Sequence, residues 1–344
     1  MTEDPLASIA TLKLRIMPIG VFFLARRYGR SLPAIDGFFR SVIAFGCALS
    51  AIALYNWYGF SSGAQLLGEE LGPKDMLQLS FGRSNYLASI LVLIIPTAIA
   101  FIRRRKRRPL GLAYLSALVL ISIALIFTQS RGALISLAFG FMAWGFFGLA
   151  SAFSVRMVVS MLFAIIATLM AGLFLWSKIP EEVRIGLATA FGLLWSDARL
   201  GNYGGGRTEL WLAAINGAWQ SNLLGIGLGN QRAWYAGAGL TPSAHNLYLE
   251  TLLETGLIGL IALLGILHGF GATIWRIWKN RSRRERPLAG ALLATFVIAL
   301  VNAAQEPSFW GPQYSCLFWL MMGVAYSWQN VQTIRELPLS AGRN

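Results

Sequence analysis

Three residues of this 344-residue chain place charge or acid–base chemistry inside otherwise apolar surroundings. Arg131 stands in Phe127-Thr128-Gln129-Ser130-Arg131-Gly132-Ala133, where two apolar stretches meet with almost no loop. A guanidinium there either snorkels to a polar interface or, in the company of Thr128, Gln129 and Ser130, faces a wet cavity. Arg207 follows Gly204, Gly205 and Gly206. Those glycines either lead into a helix start whose free N–H groups favour anions, or form a flexible loop carrying a surface arginine. His245 lies in Ser243-Ala244-His245-Asn246-Leu247-Tyr248-Leu249-Glu250, at the entrance to a long apolar helix. The partial positive charge of a helix start disfavours imidazolium, so the ring is expected to be neutral. A neutral ring can accept a proton as a general base, or simply cap the helix.

Glu250 and Glu254 follow on one face of that helix. Two carboxylates at this spacing can bind a cation, position an acceptor hydroxyl or neutralise an arginine, and neutralisation is the reading preferred here. His268 is the contrast case, deep in the same helix, where a structural role is expected. Gly225-Ile226-Gly227-Leu228-Gly229 superficially looks like a nucleotide loop, but no strand precedes it and no βαβ unit surrounds it. No histidine, cysteine and carboxylate set has zinc spacing, and neither a GxSxG nor a Walker sequence occurs. Cys47 and Cys316 both sit in apolar blocks, so no disulfide framework is expected.

The elements that must hold these residues are set by hydropathy. Hydrophobic residues make up 56% of the chain and charged ones 13%, with a mean hydropathy of +0.58. A soluble protein carries about 25% charged residues, so an ordinary water-soluble enzyme and a disordered chain are both excluded. Helices need roughly 20 mostly apolar residues to span a bilayer. Blocks of that kind cover 41–58, 86–102, 110–128, 132–150, 155–176, 247–273, 288–304 and 312–328. A ninth, 6–25, is interrupted by Lys13 and Arg15. The expected fold is an all-α, polytopic transmembrane bundle of eight or nine spans, forming a single membrane domain over residues 1–344.

Net charge is +14, yet its distribution argues against nucleic acid. If the run Arg103–Arg108 is cytoplasmic, strict alternation puts 26–40, 151–156, 273–287 and the tail after 330 on the same side. Nineteen of the 29 basic residues then fall inside, as the positive-inside rule demands. The opposite, outer side receives 59–85 and the large loop 177–246. Within that loop Leu210, Trp211, Ala214, Ile215, Ala218 and Trp219 recur at helical spacing. The stripe predicts a helix lying on the bilayer surface or packed against the bundle. The start, Thr2-Glu3-Asp4-Pro5, is not that of a cleavable signal peptide.

Taken in order, Gln129-Ser130-Arg131-Gly132-Ala133, Arg207-Thr208-Glu209-Leu210-Trp211, Leu224-Gly225-Ile226-Gly227-Leu228-Gly229-Asn230, His245-Asn246-Leu247-Tyr248-Leu249-Glu250 and Glu254-Thr255-Gly256-Leu257-Ile258-Gly259 resemble the O-antigen ligase and polymerase family. The likeness runs through most of the chain from about residue 40. It implies a membrane glycosyltransferase of polysaccharide and lipopolysaccharide biosynthesis, in the bacterial inner membrane. Its donor would be a glycan on undecaprenyl pyrophosphate. The acceptor would be a hydroxyl of a lipid A core, a growing polymer or a protein. The resemblance further implies that Arg131 and Arg207, with Arg83 as a weaker addition, bind the pyrophosphate and that His245 is catalytic. Guanidinium–phosphate pairing would let the reaction proceed without a metal or other cofactor. It also implies about twelve spans, so roughly three N-terminal helices are expected to be missing before residue 40. A polymerase of the same family, or a small-anion transporter, is the competing expectation. A transporter would call for broken helices or repeats at mid-depth, whereas the charges here sit at span ends.

Overall fold

The computed structural model describes residues 5–29, 31–67, 84–104, 108–150, 207–240, 243–306, 309 and 311–336. All regular elements among them are helices. In chain order they are α1 (Pro5–Tyr28), α2 (Leu32–Leu67), α3 (Ser84–Arg104), α4 (Arg108–Phe127) and α5 (Arg131–Ala150). Then come α6 (Arg207–Gln220), α7 (Gln231–Gly237), α8 (Leu247–Lys279), α9 (Arg286–Ala303) and α10 (Pro312–Glu336). Among the described residues, seven helices are long and apolar enough to cross a membrane: α1 to α5, α8 and α9. The chain is a multi-pass membrane protein. The interrupted block at 6–25 is thus a helix of spanning length. The block at 312–328 lies in α10, which is more polar than the other long helices yet largely buried in the bundle. The expected span at 155–176 lies outside the described residues, as do 177–206 of the large loop.

Burial decides which helices are central. In α3 nearly every side chain from Leu87 to Phe101 is buried, so this helix is apolar all round and sits in the middle of the bundle. Helix α9 is its central partner and is buried almost as fully. Gly140 of α5 lets the α5 and α9 backbones close up: a β-carbon there would meet Ile298 at 2.4 Å and the Ala294 carbonyl at 2.8 Å. Helices α4 and α5 turn Leu112, Val119, Ile126, Phe139 and Met142 outward, where only lipid chains suit such side chains. α1 packs along α10.

The alternating helices give the bundle two unlike ends. Asp36 at the start of α2 binds Arg104 at the end of α3, 2.6 Å apart. This basic end also carries Arg103, Arg276, Lys279, Arg281 and Arg286. At the other end the start of α1 meets the loop after α6, with the Ser8 hydroxyl donating to the Leu228 carbonyl at 2.7 Å.

Helix α8 has 33 residues, about 50 Å of α-helix, against a hydrocarbon core of about 30 Å. It is broken at Gly256, which adopts φ 66° and ψ −165°, a conformation open to glycine alone. Residues 257–279 are long enough to span by themselves, so 247–255 project beyond the core. At the break the helix backbone makes three hydrogen bonds to the glycine-rich loop and to Leu223 just ahead of it. Leu257 N–H donates to the Leu223 carbonyl (2.9 Å), while Ile226 and Gly227 N–H groups donate to the carbonyls of Leu253 (2.8 Å) and Glu254 (3.0 Å). Gly225, Gly227 and Gly229 all have positive φ. The Gly-Ile-Gly-Leu-Gly sequence is therefore a clamp on a broken helix.

Helix α6 lies against the projecting segment of α8. Leu210 and Ala214 join Leu253, Tyr235 and Ala244 in a small separate core. The stripe read from the sequence divides here: Leu210, Ala214 and Ala218 are buried, whereas Ile215 and Trp219 stay exposed beside Leu212. Small residues permit the close approach of α8, and the bulkier ones are left for the surroundings.

Candidate active site

His245 precedes the cap of α8. Asn246 is the N-cap, its side-chain oxygen accepting from the Tyr248 (3.0 Å) and Leu249 (3.2 Å) N–H groups. The cap relieves His245 of that duty and leaves its ring available. His245 itself holds φ 51°, a left-handed conformation that a non-glycine residue adopts only under constraint. The constraint is visible. Its N–H donates to the Ser243 hydroxyl at 3.1 Å, and that hydroxyl donates to Glu250 Oε1 at 2.6 Å. Glu250 is buried and fixes the loop that presents the histidine.

The ring faces a carboxylate that sequence reasoning missed. His245 Nδ1 lies 3.5 Å from Glu306 Oε1, just past the end of α9. At that distance the two atoms are in ion-pair contact and not hydrogen-bonded, and neither has a hydrogen-bond partner among the described residues. Glu306 is 4% exposed. Its second oxygen accepts from Asn85 Nδ2 at 3.2 Å, near the start of α3. Below this contact Asn302 donates to Ser89 at 3.0 Å, continuing a polar seam between the two central helices. Asn85 and Ser89 stand one turn apart, as do Asn302 and Glu306, but the contacts between the two pairs cross 221 and 213 residues of sequence, and no local motif joins them.

The structure brings Arg131 to the same end. It opens α5 and is half-buried, directly after a turn in which Gln129 has φ 53° and Thr128 and Ser130 are buried. The next residue, Gly132, lies against Gln305: a β-carbon there would come within 2.9 Å of the Gln305 amide oxygen. Arg131 is thus one residue from a contact with the neighbour of Glu306. Arg207 opens α6, one turn before Trp211, whose indole N–H donates to the Ala244 carbonyl at 2.9 Å. The start of α6 is therefore anchored beside His245, while the Arg207 side chain lies outside the described residues. Arg83 does too, although it precedes α3, whose Asn85 reaches Glu306.

Glu254 is held differently from Glu250. It forms a buried ion pair with Arg15 of α1 and accepts from the Gly229 N–H at 3.1 Å. The arginine that interrupts the first apolar block is thus the counter-ion of a carboxylate on α8. His268 lies on the exposed flank of α8, away from this end. Among the described residues no three His, Cys, Asp or Glu side chains gather at metal-binding distance.

A cleft of about 770 Å³ opens between α6, the glycine clamp and α7. Asn216, Gln220 and Asn230 line it with Trp234, and among the described residues no charged side chain does. Asn216 and Gln220 stand one turn apart on the exposed face of α6. Trp234 donates its indole N–H to the Ala213 carbonyl at 3.0 Å, which fixes the ring against α6. Amides beside an indole, in a chain of net charge +14, suit a neutral hydroxyl-rich ligand.

Residues 116–264 match the family model described as O-antigen ligase. The match contains Arg131, Arg207, His245, Glu250 and Glu254, and stops short of Glu306 on one side and Arg15, Arg83 and Asn85 on the other. No curated protein matches the chain.

Proposed function

We propose that this chain is a member of the O-antigen ligase family, whose model residues 116–264 match, and that it transfers a glycan from undecaprenyl pyrophosphate to an acceptor hydroxyl. The reaction runs at the outer face of the bacterial inner membrane, with the basic end of the bundle in the cytoplasm. The observation that carries this reading is the buried contact between His245 and Glu306. It sets a candidate base against a buried carboxylate that can orient it, at the end of the bundle where Arg131 and Arg207 enter their helices.

In this mechanism Glu306 accepts the Nδ1–H of His245, leaving Nε2 to take the acceptor's hydroxyl proton. The freed oxygen attacks the anomeric carbon as the sugar–phosphate C–O bond breaks, with inversion. Undecaprenyl pyrophosphate leaves. Arg131 and Arg207, with Arg83 as a weaker addition, bind the pyrophosphate bidentately and stabilise the charge it gains, the role that a metal plays in other transferases. The start of α6 adds its free N–H groups to the same task. Glu250 holds the histidine loop through Ser243, and Glu254 joins α1 to the clamp. The amide-lined cleft takes the glycan. A growing polymer and a lipid core present the same nucleophile, so the polymerase reaction uses the same groups.

Glu306→Gln tests the pairing. The amide keeps the shape but loses the charge that steadies imidazolium as it forms. The expected result is a fall in kcat of about tenfold or more, with KM for the lipid donor little changed and the unfolding temperature preserved. Glu306→Asp should recover part of the loss. An equal fall in kcat and stability, or a rise in KM alone, would reduce Glu306 to a packing role.

A further inference from the structure

We propose that a cleft at the basic end of the bundle binds the headgroup of an anionic phospholipid, and that this lipid is a structural ligand of the protein. The cleft, about 560 Å³, lies where α3, α5, α8 and the start of α9 meet. Arg103 and Arg286 line it with the indoles of Trp144 and Trp278, over Ile99 and Phe141. Among the described residues nothing lies within 4 Å of a β-carbon built at Gly145 on its wall.

Three features select the ligand. First, the two guanidinium groups come from different helices, and among the described residues no carboxylate lines the cleft. Second, the positive charge is crowded. Arg103 rests over Trp144, 5.0 Å from the ring centroid, and Arg281 covers Trp278 at 3.3 Å. Burial, and then the charge of Arg286, push the Arg281 guanidinium below its ordinary range. An added phosphodiester relieves that repulsion. Third, most of the lining is apolar, which a free phosphate ion cannot use and an acyl chain can. Two indoles beside arginines at a span end are the usual chemistry of the headgroup layer.

The test uses the full chain in nanodiscs of phosphatidylcholine with a minor fraction of phosphatidylglycerol, extracted gently and weighed by native mass spectrometry. The wild-type protein is expected to retain phosphatidylglycerol well above its share of the membrane. Arg103→Gln with Arg286→Gln should lower that enrichment about tenfold or more. Arg27→Gln with Arg40→Gln, which removes the same charge elsewhere at this end, should leave it unchanged. Gly145→Leu keeps both arginines and fills the cleft, so it should displace the lipid even if the double variant folds poorly. Equal losses from both arginine pairs would mean diffuse attraction and overturn the proposal. So would retention in Gly145→Leu, or full competition by inorganic phosphate at millimolar concentration, which would identify a free-anion site.

Discussion

His245→Ala is expected to abolish glycan transfer while the protein inserts and folds normally. The residue lies ahead of the cap of α8 and not in the packed core, and the cap itself is Asn246. Loss of a general base typically costs about 10² to 10⁴ in rate, enough to remove the product from a gel of surface glycans. Removing the ring also strands Glu306, whose other described partner is Asn85. His268→Ala is the control within the same helix and should be nearly silent, because that ring lies on the exposed flank. At equal expression, loss in His268→Ala with activity in His245→Ala would place the chemistry at the wrong end of the bundle.

Gly256→Ala should produce the largest loss of stability. A β-carbon at this position would lie 2.1 Å from the Leu223 carbonyl oxygen, which is backbone and cannot swing aside. The φ of 66° with extended ψ adds a conformational cost of its own. Together these are expected to remove about 3 kcal/mol or more and to lower the unfolding midpoint of the purified protein by about 5 °C or more. The clamp would open first, and with it the loop between Gly229 and His245. An unchanged midpoint would show that the clamp contributes nothing to the folded state.

Much of the bundle was legible because spans are written as uninterrupted apolar blocks, which local composition reveals. The six blocks from 41–58 through 288–304 that fall on described residues all appear as spanning helices. Residues in sequence neighbourhoods of their own, such as Arg131 at a tight turn and His245 at a helix entrance, were equally easy to notice. Glu306 was not. It ends a helix some sixty residues after His245, in an unremarkable polar stretch, and only the docking of α9 against α3 and α8 makes it a partner. Arg15 was misleading for the opposite reason. Inside an apolar block it looks like a flaw in a span, and its meaning comes from Glu254, which lies far along the chain. The glycines of 225–229 were recognised as punctuation, but the broken helix they clamp is a tertiary fact.

The most direct test of the account is reconstitution. The purified chain is placed in proteoliposomes with an undecaprenyl-pyrophosphate-linked glycan and an acceptor lipid fraction from the same bacterium, and the products are weighed by mass spectrometry. Free undecaprenyl pyrophosphate and glycosylated acceptor are expected in equal amounts, in the presence of EDTA, with neither formed by His245→Ala. Glycosylation that EDTA abolishes would contradict the arginine-based chemistry. Intact donor beside a protein-dependent flux of anions would contradict the transferase itself.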